Sequence, residues 1–299
     1  MKNMLSAGYY PALGTPLDEQ GNVIASSLSL HVEDQLNGNA AGLLVMGSMG
    51  MQAQIKNSEY ARTAQIASDA VKAARSACPV MVGVMDNSIG RVAERIDSLK
   101  GMALSGVVAT TPFYFALTQT EVRAFFERIA SMSPFPVYMY DLPGVTKTKI
   151  EAATAIELMK HPNIAGIKTG ELALARVLQR EKIQHAPNFS VLFSGLDVFD
   201  AAYGYGLTSQ LDGMFSCTTA INKRLYESLA SEDREAASSS LDDIITLRNT
   251  FVSVGVFGGF SYAMNALGFE GNFAPDYAPR LTAAQEEQVQ SCMRSLKLI

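Results

Sequence analysis

The sequence holds little cysteine and little histidine, and it has no basic run and no long apolar segment. Its three cysteines, Cys78, Cys217 and Cys292, stand far apart, form no C-x-x-C pair and are odd in number, so no disulfide framework is expected. His31, His161 and His185 fall on helix surfaces or helix ends without ligand spacing, which argues against a metal site. A formal net charge of −5 and the absence of any lysine- or arginine-rich run argue against nucleic acid or an anionic membrane surface as the main partner. No window approaches the roughly 20 apolar residues of a membrane span. The opening MKNMLSAGYYPALGTP lacks a long apolar stretch before its first proline, so no signal peptide is expected. G-x-G-x-x-G, P-loop, G-x-S-x-G and H-E-x-x-H motifs are all missing. These absences leave a soluble, cytoplasmic protein as the expectation.

What is present is a regular alternation. The 299 residues are 48% hydrophobic and 18% charged, enough for two average domains or one large α/β barrel. Short apolar runs read as strands at Tyr9–Leu13, Gly42–Met46, Val80–Met85, Gly106–Thr110, Val137–Tyr140, Ala165–Lys168, Val191–Ser194 and Gly213–Cys217. Helix-like segments lie between and after them at 26–38, 57–76, 88–103, 118–131, 148–160, 171–184, 197–206 and 222–232. Asn57 and Ser58 before Glu59, Ser88 before Ile89, and Thr118 with Glu121 supply N-cap chemistry. The strands are near-continuously apolar, as parallel strands covered on both faces must be. The expected fold is therefore an α/β, (β/α)₈ TIM barrel over residues 1–232. A C-terminal helical extension, 233–299, would pack on it through helices 233–253, 256–268 and 282–297. An open doubly wound sheet is the rival, but its glycine-rich phosphate turn is missing.

Barrel enzymes build their sites at the C-terminal ends of strands. There the sequence places Gly47-Ser48-Met49-Gly50, Thr110-Thr111-Pro112-Phe113-Tyr114, Tyr140-Asp141, Lys168-Thr169-Gly170, Ser194-Gly195-Leu196-Asp197 and Ser216. Lys168 ends the run IAGIK: inside an apolar barrel its ammonium form is disfavoured and the amine becomes a nucleophile, whereas a lysine leaning into water would have no such role. Tyr140 can relay a proton to or from a reacting oxygen, or simply cap the core, and Tyr114 poses the same choice. The Gly47–Gly50 turn offers backbone N–H groups and the Ser48 hydroxyl to a carboxylate, or is only a tight turn needing glycine at positive φ. Asp141 and Asp197 read as acid–base groups or as turn and cap residues, with Asp197 expected to cap the next helix.

At this point the ordered set G-Y-Y-P-A-L-G-T-P-L-D, L-L-V-M-G-S-M-G, V-V-A-T-T-P-F-Y, V-Y-M-Y-D-L-P and N-I-A-G-I-K resembles the dihydrodipicolinate synthase and N-acetylneuraminate lyase superfamily of Schiff-base aldolases. The resemblance spans nearly the whole chain. It implies a homotetramer, a dimer of tight dimers, with no metal or organic cofactor. It also implies Lys168 as the imine-forming lysine, Tyr140 as the proton-relaying tyrosine, and Tyr114 as the tyrosine that reaches across the tight dimer interface. Ser48 matches the first hydroxyl residue of the family's G-[ST]-T-G-E motif.

This chain departs from the pattern in places. Met49 and Met51 stand at that motif's second hydroxyl and glutamate positions, and Val145 stands where the synthases carry an arginine for the second substrate's carboxylate. Gly195, Asp197 and Ser216 match positions contacting the sugar chain in the sialic acid lyases, but Val198 replaces an acidic residue. The resulting expectation is a class I aldolase-type lyase acting on a 2-keto acid of the 2-keto-3-deoxy sugar acid type. A Schiff-base dehydratase or synthase, and a non-catalytic keto-acid-binding barrel, are the alternatives.

Overall fold

Runs such as GVVAT and VYMYD, buried at every position, form strands because their β-branched and aromatic side chains pack on both faces of a covered sheet. The structure, a computed structural model, describes residues 5–299. Residues 1–4, which open both the predicted 1–232 segment and the predicted leader-free N-terminus, lie outside the described residues. The strands are β1 (Gly8–Pro11), β2 (Leu43–Val45), β3 (Val80–Gly83), β4 (Gly106–Thr110), β5 (Val137–Asp141), β6 (Ile164–Thr169), β7 (Ser190–Phe193) and β8 (Ser209–Asp212). They belong to one eight-stranded sheet in the order β1-β8-β7-β6-β5-β4-β3-β2, parallel throughout from β3 to β8. The fold is the α/β, (β/α)₈ barrel that the sequence predicts.

Helices follow the strands in turn: α1 (Ala25–Asn37), α2 (Asn57–Ala73), α3 (Ile89–Ser98) and α4 (Gln119–Met132) after β1 to β4. After β5 comes a short helix, α5 (Pro143–Thr146), ahead of the predicted segment 148–160, which forms α6 (Ala152–Met159). Then come α7 (Leu172–His185), α8 (Phe199–Gly204) and α9 (Thr219–Ala230), and a C-terminal set of α10 (Arg234–Val254), α11 (Val256–Ala266) and α12 (Ala283–Ser295). No helix among the described residues is long and apolar enough to cross a membrane.

Local chemistry explains most boundaries. Ser88 caps α3 by accepting the Arg91 N–H at 3.3 Å, and Thr118 with Glu121 forms a full capping box on α4. The cap expected at Asn57 and Ser58 is not there. Lys56 sits at the N-cap of α2 without a side-chain capping bond, and the Glu59 carboxylate accepts instead from the Val23 N–H at 2.9 Å and from Arg62 at 2.7 Å.

The eighth strand is also corrected. The apolar run expected to form it is a 3₁₀ turn, Met214–Cys217, and the strand is the polar-looking SQLD before it. Its polar side chains find partners within the fold: Gln210 donates to the Phe199 carbonyl at 2.8 Å, and the Asp212 carboxylate accepts the Met214 N–H at 2.8 Å, bending the chain into the turn. Hydropathy alone cannot see that satisfaction.

By contacts the chain divides into two units, residues 5–8 with 79–211 and residues 9–78 with 212–299. In the second unit α10 packs on α9, α11 and α12, and the Phe251, Phe260 and Phe273 rings meet edge to face. Gly14 must be glycine there, since a Cβ would lie 2.7 Å from the Phe260 ring and 2.8 Å from the Phe273 ring.

His31 is wholly buried in this unit, with Nε2 3.2 Å from the Ser216 carbonyl and its ring centroid 5.0 Å from that of Phe269. Burial drives its pKa from 6.5 down to about 4. The unfolded chain therefore takes up the proton first, so stability present at neutral pH is lost as the pH falls from 6.5 towards 4. At about 1.4 kcal/mol per pH unit, the unfolding free energy drops by roughly 3 kcal/mol over that window. Urea titrations of His31→Phe, which keeps a ring in place, are expected to show that slope largely flattened. An unchanged slope would assign it to other groups.

Candidate active site

The first unit builds its centre from strand register. β5 and β6 start in step with Val137 opposite Ile164, but Tyr138 then pairs with Gly166, so Ala165 is an extra residue. Beyond this bulge Tyr140 stands opposite Lys168 and Asp141 opposite Thr169. Alternation sends the first pair to one face of the sheet and the second pair to the other.

Lys168 donates from Nζ to the Tyr140 hydroxyl at 3.1 Å, and the same nitrogen lies 4.2 Å from the centroid of the Tyr140 ring. Lys168 is 4% and Tyr140 5% exposed, so the amine does not lean out into water. Below this pair on the same face lies Tyr138. Its ring leaves no room for side chains at Gly106 or Gly166, where a Cβ would come within 2.5 Å and 2.8 Å of it.

The opposite face carries a different chemistry. Asp141 accepts from the Thr169 hydroxyl at 2.9 Å and from the Ile150 N–H at 3.0 Å. Burial raises its pKa against the pull of those two bonds. The carboxylate ties down the chain after β5 and turns away from Lys168, so its turn role is the one the structure displays.

Tyr114 stands on the turn after β4, 70% exposed and edge to face with Phe115 at 4.7 Å between centroids. Its backbone is fixed by Asn87, whose side-chain oxygen accepts the N–H of Phe113 at 2.8 Å and of Tyr114 at 2.9 Å. Asn87 is steadied by its neighbour Asp86, which accepts from Arg91 at 2.6 Å, from Arg95 at 2.9 Å and from the Asn87 N–H at 2.8 Å. Burial works against the Asp86 carboxylate, yet the bonds from Arg91, the Asn87 N–H and Arg95 together hold its pKa below the usual range. Sequence reasoning missed this clamp. Its signal was the Asp-Asn-Ser run beyond β3, of which only Ser88 was read.

After β7, Gly195 is forced to be glycine by the Phe193 ring, 2.3 Å from where a Cβ would stand. Asp197 lies exposed in a 3₁₀ turn, Leu196–Val198. It is not the helix cap that was expected: Val198 occupies the N-cap of α8, which has no side-chain bond.

The second unit holds the other residues singled out. Ser48 is exposed in the turn after β2, and its carbonyl accepts the Met51 N–H at 3.1 Å. Positive φ in this turn falls on Met46 (53°) and Met51 (54°), not on the glycines. Gly50 is required for close approach instead, since a Cβ there would sit 2.7 Å from the Leu13 carbonyl oxygen. Met49 packs on Gly213, where an added Cβ would meet its Cε at 2.9 Å. Ser216 is buried in the 3₁₀ turn after β8; its hydroxyl donates to the Ala12 carbonyl at 2.7 Å and its own carbonyl accepts from Gln35 at 3.2 Å. Among the described residues no group of three or more His, Cys, Asp or Glu side chains is placed to hold a metal ion.

Comparison with known proteins places this geometry in context. The sequence model of the Dihydrodipicolinate synthetase family matches residues 5–298. A 4-hydroxy-tetrahydrodipicolinate synthase of Ligilactobacillus salivarius (strain UCC118) is 27% identical over 274 residues, covering 89% of this chain and 91% of that protein. A protein of the same name from Acidiphilium cryptum (strain JF-5) is 26% identical over 296 residues, covering 98% of this chain and 99% of its own length. Among solved structures, YagE of E. coli K12 superposes with a TM-score of 0.89 at 20% identity, covering 99% of this chain and 100% of that one. YagE is a prophage protein of the dihydrodipicolinic acid synthase family, solved in complex with pyruvate.

Asn87→Ala removes the acceptor of two backbone N–H groups and is expected to lower the unfolding free energy by about 1–2 kcal/mol. Limited proteolysis should then cut faster within residues 112–116. Cleavage at the wild-type rate would mean that the turn is held by something else.

Proposed function

Because this chain belongs to the Dihydrodipicolinate synthetase family, we propose that it makes or breaks a carbon–carbon bond of a 2-keto acid through a Schiff base on Lys168. Members of the family are carbon–carbon lyases of the Schiff-base aldolase type. The observation that carries the reading is the buried Lys168 amine, hydrogen-bonded at 3.1 Å to the Tyr140 hydroxyl on a shared face of the sheet. A buried amine beside a phenol has both a nucleophile and a proton carrier at the reacting atom.

The amine attacks the C2 carbonyl and water leaves, giving an iminium. As the C3–C4 bond breaks, its electron pair enters the iminium to form an enamine, and Tyr140 relays the C4 hydroxyl proton while the aldehyde departs. Protonation at C3 and hydrolysis free pyruvate and return the amine. By family position Tyr114 supports the relay, and Ser48, Met49, Gly195, Asp197 and Ser216 belong to substrate binding.

The substrate in this reading is a 2-keto-3-deoxy sugar acid. Val145 supports it: this residue of α5 is apolar and 60% exposed, and offers no guanidinium to a second carboxylate. The relatives named 4-hydroxy-tetrahydrodipicolinate synthase favour a second reading, in which the same enamine condenses with an aldehyde. We further take the enzyme to be cytoplasmic and a homotetramer, a dimer of tight dimers. The bare Tyr114–Phe115 pair, 70% and 73% exposed, supports a neighbouring subunit at that turn.

Product analysis over a panel of 2-keto acids separates these readings. Pyruvate release from a 2-keto-3-deoxy sugar acid is expected; loss of water, or turnover only in the condensing direction, would overturn the lyase assignment. Tyr140→Phe is expected to lower kcat by about 10²–10⁴-fold while Lys168 still forms the imine. Undiminished turnover would remove Tyr140 from the relay.

A further inference from the structure

The face of the first unit's sheet that carries Lys168 and Tyr140 extends onto β4. Thr110 is the register partner of Tyr140, and Leu192 that of Lys168, so Thr110, Tyr140, Lys168 and Leu192 form one row across β4 to β7. Thr110 is 3% exposed, and its hydroxyl has no hydrogen-bond partner. Thr111 is also buried with an unpaired hydroxyl, but alternation turns it to the other face. Native chains leave few buried hydroxyls unpaired, and such a group facing a reactive lysine points to a ligand that completes it.

The rest of the row narrows the choice of ligand group. Leu192 is apolar, and Tyr140 and Lys168 are bonded to each other, whereas the Thr110 hydroxyl is the polar group of the row with no partner. The Lys168 Nζ lies over the ring of Tyr140, the residue that stands between Lys168 and Thr110 in the row. Neighbouring strands stand about 4.8 Å apart, so roughly 10 Å separates the Thr110 and Lys168 backbones, a span that a lysine arm and a three-carbon acid can bridge. In any 2-keto acid the polar group fixed beside the imine carbon is the C1 carboxylate, which only accepts hydrogen bonds, while C3 is apolar and suits the Leu192 side.

We propose that the Thr110 hydroxyl donates to the C1 carboxylate of the keto acid held as an imine on Lys168. This deepens the Schiff-base reading above and rests on it. Thr110 is then a residue that selects keto acids over simple ketones.

The test is borohydride trapping, followed by intact mass, of wild type, Thr110→Val and Thr110→Ser, titrated with pyruvate and separately with acetone, which has no carboxylate. Thr110→Val should raise the half-saturating pyruvate concentration about tenfold or more, the loss expected for one hydrogen bond to a charged group. Acetone trapping should stay within about twofold, and Thr110→Ser should restore the pyruvate response. Thermal melts should show Thr110→Val at least as stable as wild type, because valine removes an unpaired buried hydroxyl. A markedly lower melting temperature, equal losses for both ketones, or an unchanged pyruvate titration would each overturn the role of Thr110 while leaving Lys168 as the nucleophile. Failure of the wild type to trap pyruvate at all would instead overturn the Schiff-base reading.

Discussion

One extra residue in β6 decides what the reactive face contains. Without the bulge at Ala165, Val137 opposite Ile164 would continue as Tyr138 opposite Ala165 and Tyr140 opposite Ile167. The phenol would then face an isoleucine, and the amine would belong to the other surface. With the bulge, Tyr140 meets Lys168 and a 3.1 Å hydrogen bond joins them under cover of the sheet. Gly166 follows the extra residue and has no room for a side chain, caught between the Ser190 carbonyl at 2.5 Å and the Tyr138 ring at 2.8 Å. Bulges next to active sites re-aim side chains in this way.

The same alternation separates reactivity from architecture. The row holding Lys168 carries a buried amine, a phenol and an unpaired hydroxyl. The row behind it carries Asp141 and Thr169, which satisfy each other and the Ile150 N–H and so fix the loop that follows β5. Around the turn after β4, the Asp86–Arg91–Arg95 cluster and Asn87 do the same for Tyr114. The loops after β4 and β5 are held here by the Asp86 and Asp141 carboxylates and the Asn87 amide, an arrangement that gives a surface element a defined geometry.

Much of this was legible in the sequence. The apolar runs ending in Tyr140 and Lys168 read as strands because both faces of a parallel strand are covered, and strand-end chemistry in a barrel is where sites are built. The capping box at Thr118 and Glu121 read directly, because its chemistry lies within four residues. What escaped reading depends on partners distant in the chain. Gln210 makes SQLD a strand by donating to Phe199; Asn87 holds a turn 26 residues later; Glu59 leaves its own helix start for Val23. Thr110 was visible as a strand-end residue, but its lack of a partner exists only in three dimensions. The bulge is in the same class, since a register shift depends on both strands at once.

Family membership and the buried Lys168–Tyr140 pair both support the proposed amine chemistry, and the departures at Met49, Met51 and Val145 bear on its proposed substrate. The central claim is that this one lysine forms the covalent bond to substrate. Borohydride reduction in the presence of pyruvate, followed by proteolysis and mass mapping, tests it most directly. One reduced pyruvate per chain is expected, found on the peptide containing Lys168 and absent from Lys168→Ala. No adduct under conditions that label a known aldolase, or an adduct on a different lysine, would contradict it.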